Sequence, residues 1–160
     1  MKKTILVIAV GVFSIASVQA QKSTSLSIAG SIGIPVSSPS VYSLAVGGDL
    51  QADFAATEGL KITLSGGYEN LSVKSKYGGG STGIIPLLAG AKFNLGSEQL
   101  YGHAQLGYGF GTAKGSSGAF AFAPSIGYVL SENFDLSLKY LAFSSGGTFG
   151  SINLRLAYDF

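Results

Sequence analysis

The last ten residues, Ser151-Ile-Asn-Leu-Arg-Leu-Ala-Tyr-Asp-Phe160, alternate without a break. Ile152, Leu154, Leu156, Tyr158 and Phe160 fall on one side, and Ser151, Asn153, Arg155, Ala157 and Asp159 on the other. Successive side chains of a β-strand point to opposite faces, so this stretch is a strand with one greasy and one polar face. A helix would scatter both sets around its axis.

The pattern repeats upstream, near 25–34, 41–53, 60–70, 84–95, 99–111, 119–130 and 134–142. In each, Leu, Ile, Val, Tyr or Phe alternates with small or polar residues. Between them lie stretches rich in Gly, Ser, Pro, Asn or Lys, at 35–40, 55–59, 74–81, 96–98, 112–118, 131–133 and 144–149. The result is eight strands of about nine to thirteen residues, close to the roughly 9–11 that cross a bilayer. Three places fit badly. Pro124 lies on the greasy face inside the sixth strand and predicts a bulge, because it cannot donate to the ladder. Pro86, after Ile84-Ile85, leaves the phase of the fourth strand ambiguous. The third strand loses its phase after Asn70.

Composition decides which face meets what. The 160 residues are 46% hydrophobic and 11% charged, with 24 Gly and no Cys. A soluble domain carries about 25% charged residues to solvate its surface. If the bulky faces pointed inward, eight strands would deliver more volume than a barrel of that size holds. The reverse works: apolar and aromatic side chains meet lipid, and small residues with a few charges fill a narrow interior. Closure leaves no unpaired sheet edge in hydrocarbon. The aromatics gather towards the two strand ends, with Phe54, Phe93, Phe134, Tyr158 and Phe160 at one and Tyr42, Tyr68, Tyr108, Phe110, Phe120 and Tyr140 at the other. Rings of this kind favour the two membrane–water interfaces.

The first 20 residues read as a cleaved secretory signal peptide: Lys2-Lys3, an apolar run over 5–15, and small residues at Val18 and Ala20. The run is shorter than the roughly 20 residues a spanning helix needs, which argues against an uncleaved anchor. Removal of 20 of 160 residues leaves 140, the domain 21–160. Lys plus Arg falls from 10 to 8, equal to the 8 Asp plus Glu, so the mature chain is formally neutral and a nucleic-acid partner has no electrostatic basis.

With the signal peptide, the eight amphipathic strands and the alternating Ile152, Leu154, Leu156, Tyr158 and Phe160 at the C-terminus, the chain resembles the small OmpA-type and OmpX-type outer-membrane barrels over its mature length. The resemblance implies an all-β, eight-stranded, antiparallel up-and-down barrel in the outer membrane of a Gram-negative bacterium. It also implies that the terminal motif is read by the barrel-assembly machinery. The chain departs from the OmpA pattern in having no peptidoglycan-binding domain after the barrel, and from both types in its short loops.

With both termini periplasmic, the inner turns hold Glu58, Glu98 and Glu132 and the outer connections hold Lys74, Lys76 and Lys114. Those lysines are candidate donors to lipopolysaccharide phosphates; solvated loop charge is the plainer reading. Asp49, Gln51, Lys92, His103, Gln105, Asp135, Lys139 and Arg155 fall on inward positions and predict an internal polar network, since buried charges must be paired. Such a network plugs the lumen; water-filled porins need about 16 strands. One His and no Cys make no metal cluster, and no cofactor is implied. Barrels that deacylate lipid A use a His-x-Ser unit, from which His103-Ala104-Gln105 departs, so the chain reads as a non-enzyme. The glycine strings 78–80 and 107–111 lack the following helix that a dinucleotide fingerprint requires.

Function then rests on an envelope-integrity or surface-interaction role. Two alternatives stand beside it. One is a secreted soluble barrel binding an apolar ligand, which predicts a charged exterior. The other is an outer-membrane lipid-modifying enzyme, which predicts His103 near a Ser and an acid at the outer leaflet.

Overall fold

The structure, a computed structural model, describes residues 24–37, 41–113 and 115–160. The expected signal peptide and Lys114 lie outside the described residues. Eight strands follow in chain order: β1 Thr24–Pro35, β2 Tyr42–Thr57, β3 Leu60–Val73, β4 Ser81–Asn94, β5 Leu100–Gly111, β6 Ala119–Ser131, β7 Phe134–Ser144 and β8 Thr148–Asp159. Each pairs antiparallel with its neighbours, and β8 returns to β1, closing an up-and-down barrel. At 16 residues in β2 and 14 in β3 and β4, several strands exceed the expected length. Pro35, expected in a connection, ends β1 paired with Ser151.

The faces fall as the alternation dictates. In β8, Ile152, Leu154, Leu156 and Tyr158 point outward, while Ser151, Asn153, Arg155 and Ala157 are buried inside. The outward set continues around the barrel through Ile28, Ile32, Val46, Leu50, Leu64, Leu87, Leu106, Ile126 and Leu138. A closed barrel with a continuous apolar exterior and a charged interior is built for hydrocarbon outside, and it spans a membrane. Arg at Leu106, halfway along β5 and 59% exposed, therefore costs about 2–4 kcal/mol of unfolding free energy in lipid, as Arg does at a bilayer midplane. Chemical unfolding from vesicles measures this.

At the ends, aromatic rings meet edge-on. Phe134, Tyr158 and Phe160 form one such run, with centroids 5.1 and 5.3 Å apart, and Tyr108 packs against Phe110 at the opposite end. Glycines beside these rings leave room for them: Tyr108 covers Gly118, Tyr140 covers Gly150 and Phe93 covers Gly102. A ring lying over a strand glycine shields backbone that has no side chain of its own.

Three expectations need correction. Pro124 makes no bulge. The β5–β6 register runs through Ala104↔Pro124 unbroken, and the β6–β7 ladder lapses between Phe122↔Ala142 and Ser125↔Lys139 without slipping. The missing N–H is met by a gap in pairing towards β7, not by an extra residue. Pro86 behaves likewise: β3–β4 lapses between Gly66↔Leu87 and Glu69↔Ile84 and keeps its register, with Pro86 buried on the inward face. The irregularities that do occur are at Tyr42/Leu44, Ala55/Thr57 and Val129/Ser131. Finally, β3 does not lose phase after Asn70; Leu71 continues the inward series and is buried.

The interior is also not uniformly small and polar. Towards the connections after β3, β5 and β7 it is closed by an apolar cluster of Leu88, Ala121, Ala123, Leu141 and Phe143, with Ile84 and Phe149 packed on it. Most of the buried polar residues lie nearer the two termini, while Glu69 and Ser151 sit level with the cluster, opposite Ile84 and Leu141.

Candidate functional site

Six charged lumen side chains form one alternating chain. Arg155, from β8, reaches Asp49 on β2 through two nitrogens, Nη2 to Oδ1 at 2.7 Å and Nε to Oδ2 at 3.0 Å. Its Nη1 lies 3.7 Å from Asp135 on β7. Lys92, from β4, continues the chain to Asp135 at 3.6 Å and to Asp53 on β2 at 3.1 Å. Lys139, from β7, lies 4.0 Å from Asp49 at the other end. The order Lys139–Asp49–Arg155–Asp135–Lys92–Asp53 sets three cations against three carboxylates. The two-nitrogen Arg155–Asp49 contact is the strong geometry for such a pair.

Neutral groups complete the lattice. Tyr101 donates its hydroxyl to Asp135 at 2.8 Å, and Lys92 sits 4.5 Å above the Tyr101 ring centroid. Gln51 donates to Asp53 at 2.7 Å, and Gln105 to Ser65 at 2.8 Å. His103 Nε2 and Thr63 Oγ1 are hydrogen-bonded at 2.8 Å. Asn153 donates to Ser151 at 2.8 Å. These bonds join β2 to β7 and β8, β3 to β5, and β4 to β2 and β7, so they tie opposite walls together.

All eight lumen residues expected from the sequence thus point into this interior. Asp49, Lys92, Asp135, Lys139 and Arg155 meet in the ionic chain. Gln51 joins it through Asp53. His103 and Gln105 instead bond the β3 wall and do not contact the charged chain within hydrogen-bond distance. Asp53 and Glu69 are the acids that the site expectation missed. Both carry the signal, since Asp53 continues the inward series 49, 51, 53 and Glu69 the series 63, 65, 67, 69.

The two rims differ. At the end holding both termini, the turns carry Glu58, Glu98 and Glu132. At the other end, the connections carry Lys74, Lys76 and Lys114 and no acid. Lys74 precedes the 3₁₀ turn Ser75–Tyr77 and Lys76 lies within it, with Lys76 Nζ 5.0 Å from the Tyr77 ring centroid. Gly78, Gly79 and Gly80 follow with φ of +98°, +67° and +95°, then β4 begins. This left-handed run is a loop tip that L side chains would strain.

No family model and no curated protein matches the chain. Solved structures do. The chain is similar to Ail, the attachment invasion locus protein of Yersinia pestis, solved in complex with the heparin analogue sucrose octasulfate, at a TM-score of 0.62 and 15% identity over 88% of this chain and 100% of that one. It is similar to the N-terminal β-barrel domain of Pseudomonas aeruginosa OprF at 0.57 and 16%, with the same coverage. Neisserial surface protein A matches at 0.53 and 14%, again over 88% and 100%. The fold is therefore that of the small eight-stranded outer-membrane barrels.

Proposed function

We propose that this protein is a non-enzymatic outer-membrane barrel of a Gram-negative envelope, closed to solutes, whose basic outer rim contacts anionic saccharide. The observation that carries the reading is the charge polarity of the two rims on a lipid-facing barrel. Lysines are the only charged residues in the connections at one end, and one Glu sits in each turn at the other. Lipopolysaccharide phosphates and sulfated glycans present the complementary charge. That a barrel of this fold, Ail, has been solved with a sulfated heparin analogue supports the reading.

The lumen fits a structural role. Six of its charges are engaged across the barrel and its other half is filled by the apolar cluster, so no steady conductance is expected in planar bilayers. His103 is bonded to Thr63 inside the barrel, in the half nearer the termini, which does not favour chemistry at the outer leaflet. The lipid-facing exterior likewise disfavours a soluble carrier of apolar ligands.

The test is retention of the refolded barrel on immobilised heparin, and on vesicles with and without lipopolysaccharide. The triple variant Lys74→Glu, Lys76→Glu, Lys114→Glu loses retention on both, and added salt weakens the wild type as charge contacts require. Equal retention of wild type and variant would rule the basic rim out.

A further inference from the structure

Between the ionic chain and the apolar cluster lies a cavity of about 20 Å³. Glu69, Asn153, Asp49 and Lys139 line it, with Leu88 and Leu141 above. A cavity needs roughly 10–15 Å³ on this measure to take one water molecule. Two residues that line it hold buried acceptors without a hydrogen-bond partner, Glu69 Oε1 and Asn153 Oδ1. Their residues are 4% and 1% exposed. The ammonium of Lys139, which also lines the cavity, stands 4.0 Å from its carboxylate neighbour Asp49, beyond hydrogen-bond reach.

From these positions we infer that the cavity is a binding site for a single structural water, which joins Lys139 to Glu69 and makes Glu69 the fourth carboxylate of the lumen network. The donor and acceptor counts match. Water has two protons to give, one for Glu69 Oε1 and one for Asn153 Oδ1, and a lone pair to accept from Lys139 Nζ. Each of the two orphaned acceptors is costly to leave unmet in a low-dielectric interior. Lys139 then serves Asp49 by charge and Glu69 through the water. The site fastens β3, whose Glu69 otherwise bonds nothing, to β7 and β8.

A crystal structure of the mature barrel that resolves ordered solvent tests this. One peak at hydrogen-bond distance, about 2.6–3.2 Å, from Glu69 Oε1, Asn153 Oδ1 and Lys139 Nζ is expected. An empty cavity, a direct Lys139–Glu69 bond, or a peak at cation rather than water distances would overturn it. The second arm is urea unfolding of Glu69→Gln, Lys139→Met and the pair together. Each single change lowers the midpoint, and the double variant falls no further than the worse single one. Additive losses would show that the two side chains do not act through a shared bridge. If a variant does not refold, the crystal arm decides.

Discussion

Replacing Arg155 with alanine lowers the unfolding free energy by about 3–5 kcal/mol, the cost of removing one partner from a buried ion pair. Arg155 is 4% exposed and gives Asp49 its closest charged contacts, at 2.7 and 3.0 Å. It also faces Asp135 at 3.7 Å. Without it, both carboxylates remain in an interior that water reaches poorly. Lys139, 4.0 Å from Asp49, is too far to donate in its place. Most of the loss is thus the penalty of a stranded charge and not the worth of the pair itself. The double variant Asp49→Leu, Arg155→Leu removes both charges together and is expected to recover most of the stability, because apolar replacement of a whole buried pair is often neutral. Urea unfolding in lipid vesicles reads both. A double variant as damaged as Arg155→Ala would mean that shape, not charge, governs the site.

Gly107→Val is expected to abolish folding. Gly107 sits on the inward face of β5 opposite Leu88. A Cβ there would lie 2.9 Å from the Leu88 Cα and would run into the Leu87 carbonyl oxygen. Those atoms are backbone of the adjacent strand and cannot rotate away. Gly90, across the same seam, meets the Ala104 carbonyl oxygen in the same way. Close backbone approach is the reason for glycine at both. Gly30 is the control. It faces outward with nothing within 4 Å, so Gly30→Val adds a lipid-facing residue of high β-propensity and folds normally. A refolding assay by gel mobility separates the two outcomes. Comparable folding of both variants would refute the inward-packing account.

The strand count and the lipid face were legible because alternation survives wherever the inner residue is polar or small. β8 is the clearest case: Asn153 and Arg155 stand between Ile152, Leu154 and Leu156. It fails in β7, where Tyr140-Leu141-Ala142-Phe143 is apolar on both faces because Leu141 and Phe143 close the lumen. The bulge expected at Pro124 was contradicted by information already present. Phe120, Phe122, Ile126 and Tyr128 keep one parity across the proline, and a single extra residue would have flipped every side chain after it. The partners within the lumen were not legible. Arg155 and Asp49 are 106 residues apart, and Gln105 and Ser65 are 40 apart. Their meeting depends on register around a closed barrel, which alternation alone does not specify.

This chain is a membrane barrel with its apolar face turned to lipid. Expression of the full precursor in a Gram-negative host, isolation of the outer membrane, and an SDS gel of that fraction with and without boiling check this. A band of the mature chain is expected in the outer membrane, its mobility shifting on heating as a barrel that stays folded in cold SDS unfolds. Recovery of the chain only as soluble periplasmic or secreted protein would contradict it, and would require Leu106, Leu154 and their neighbours to be covered by something other than lipid.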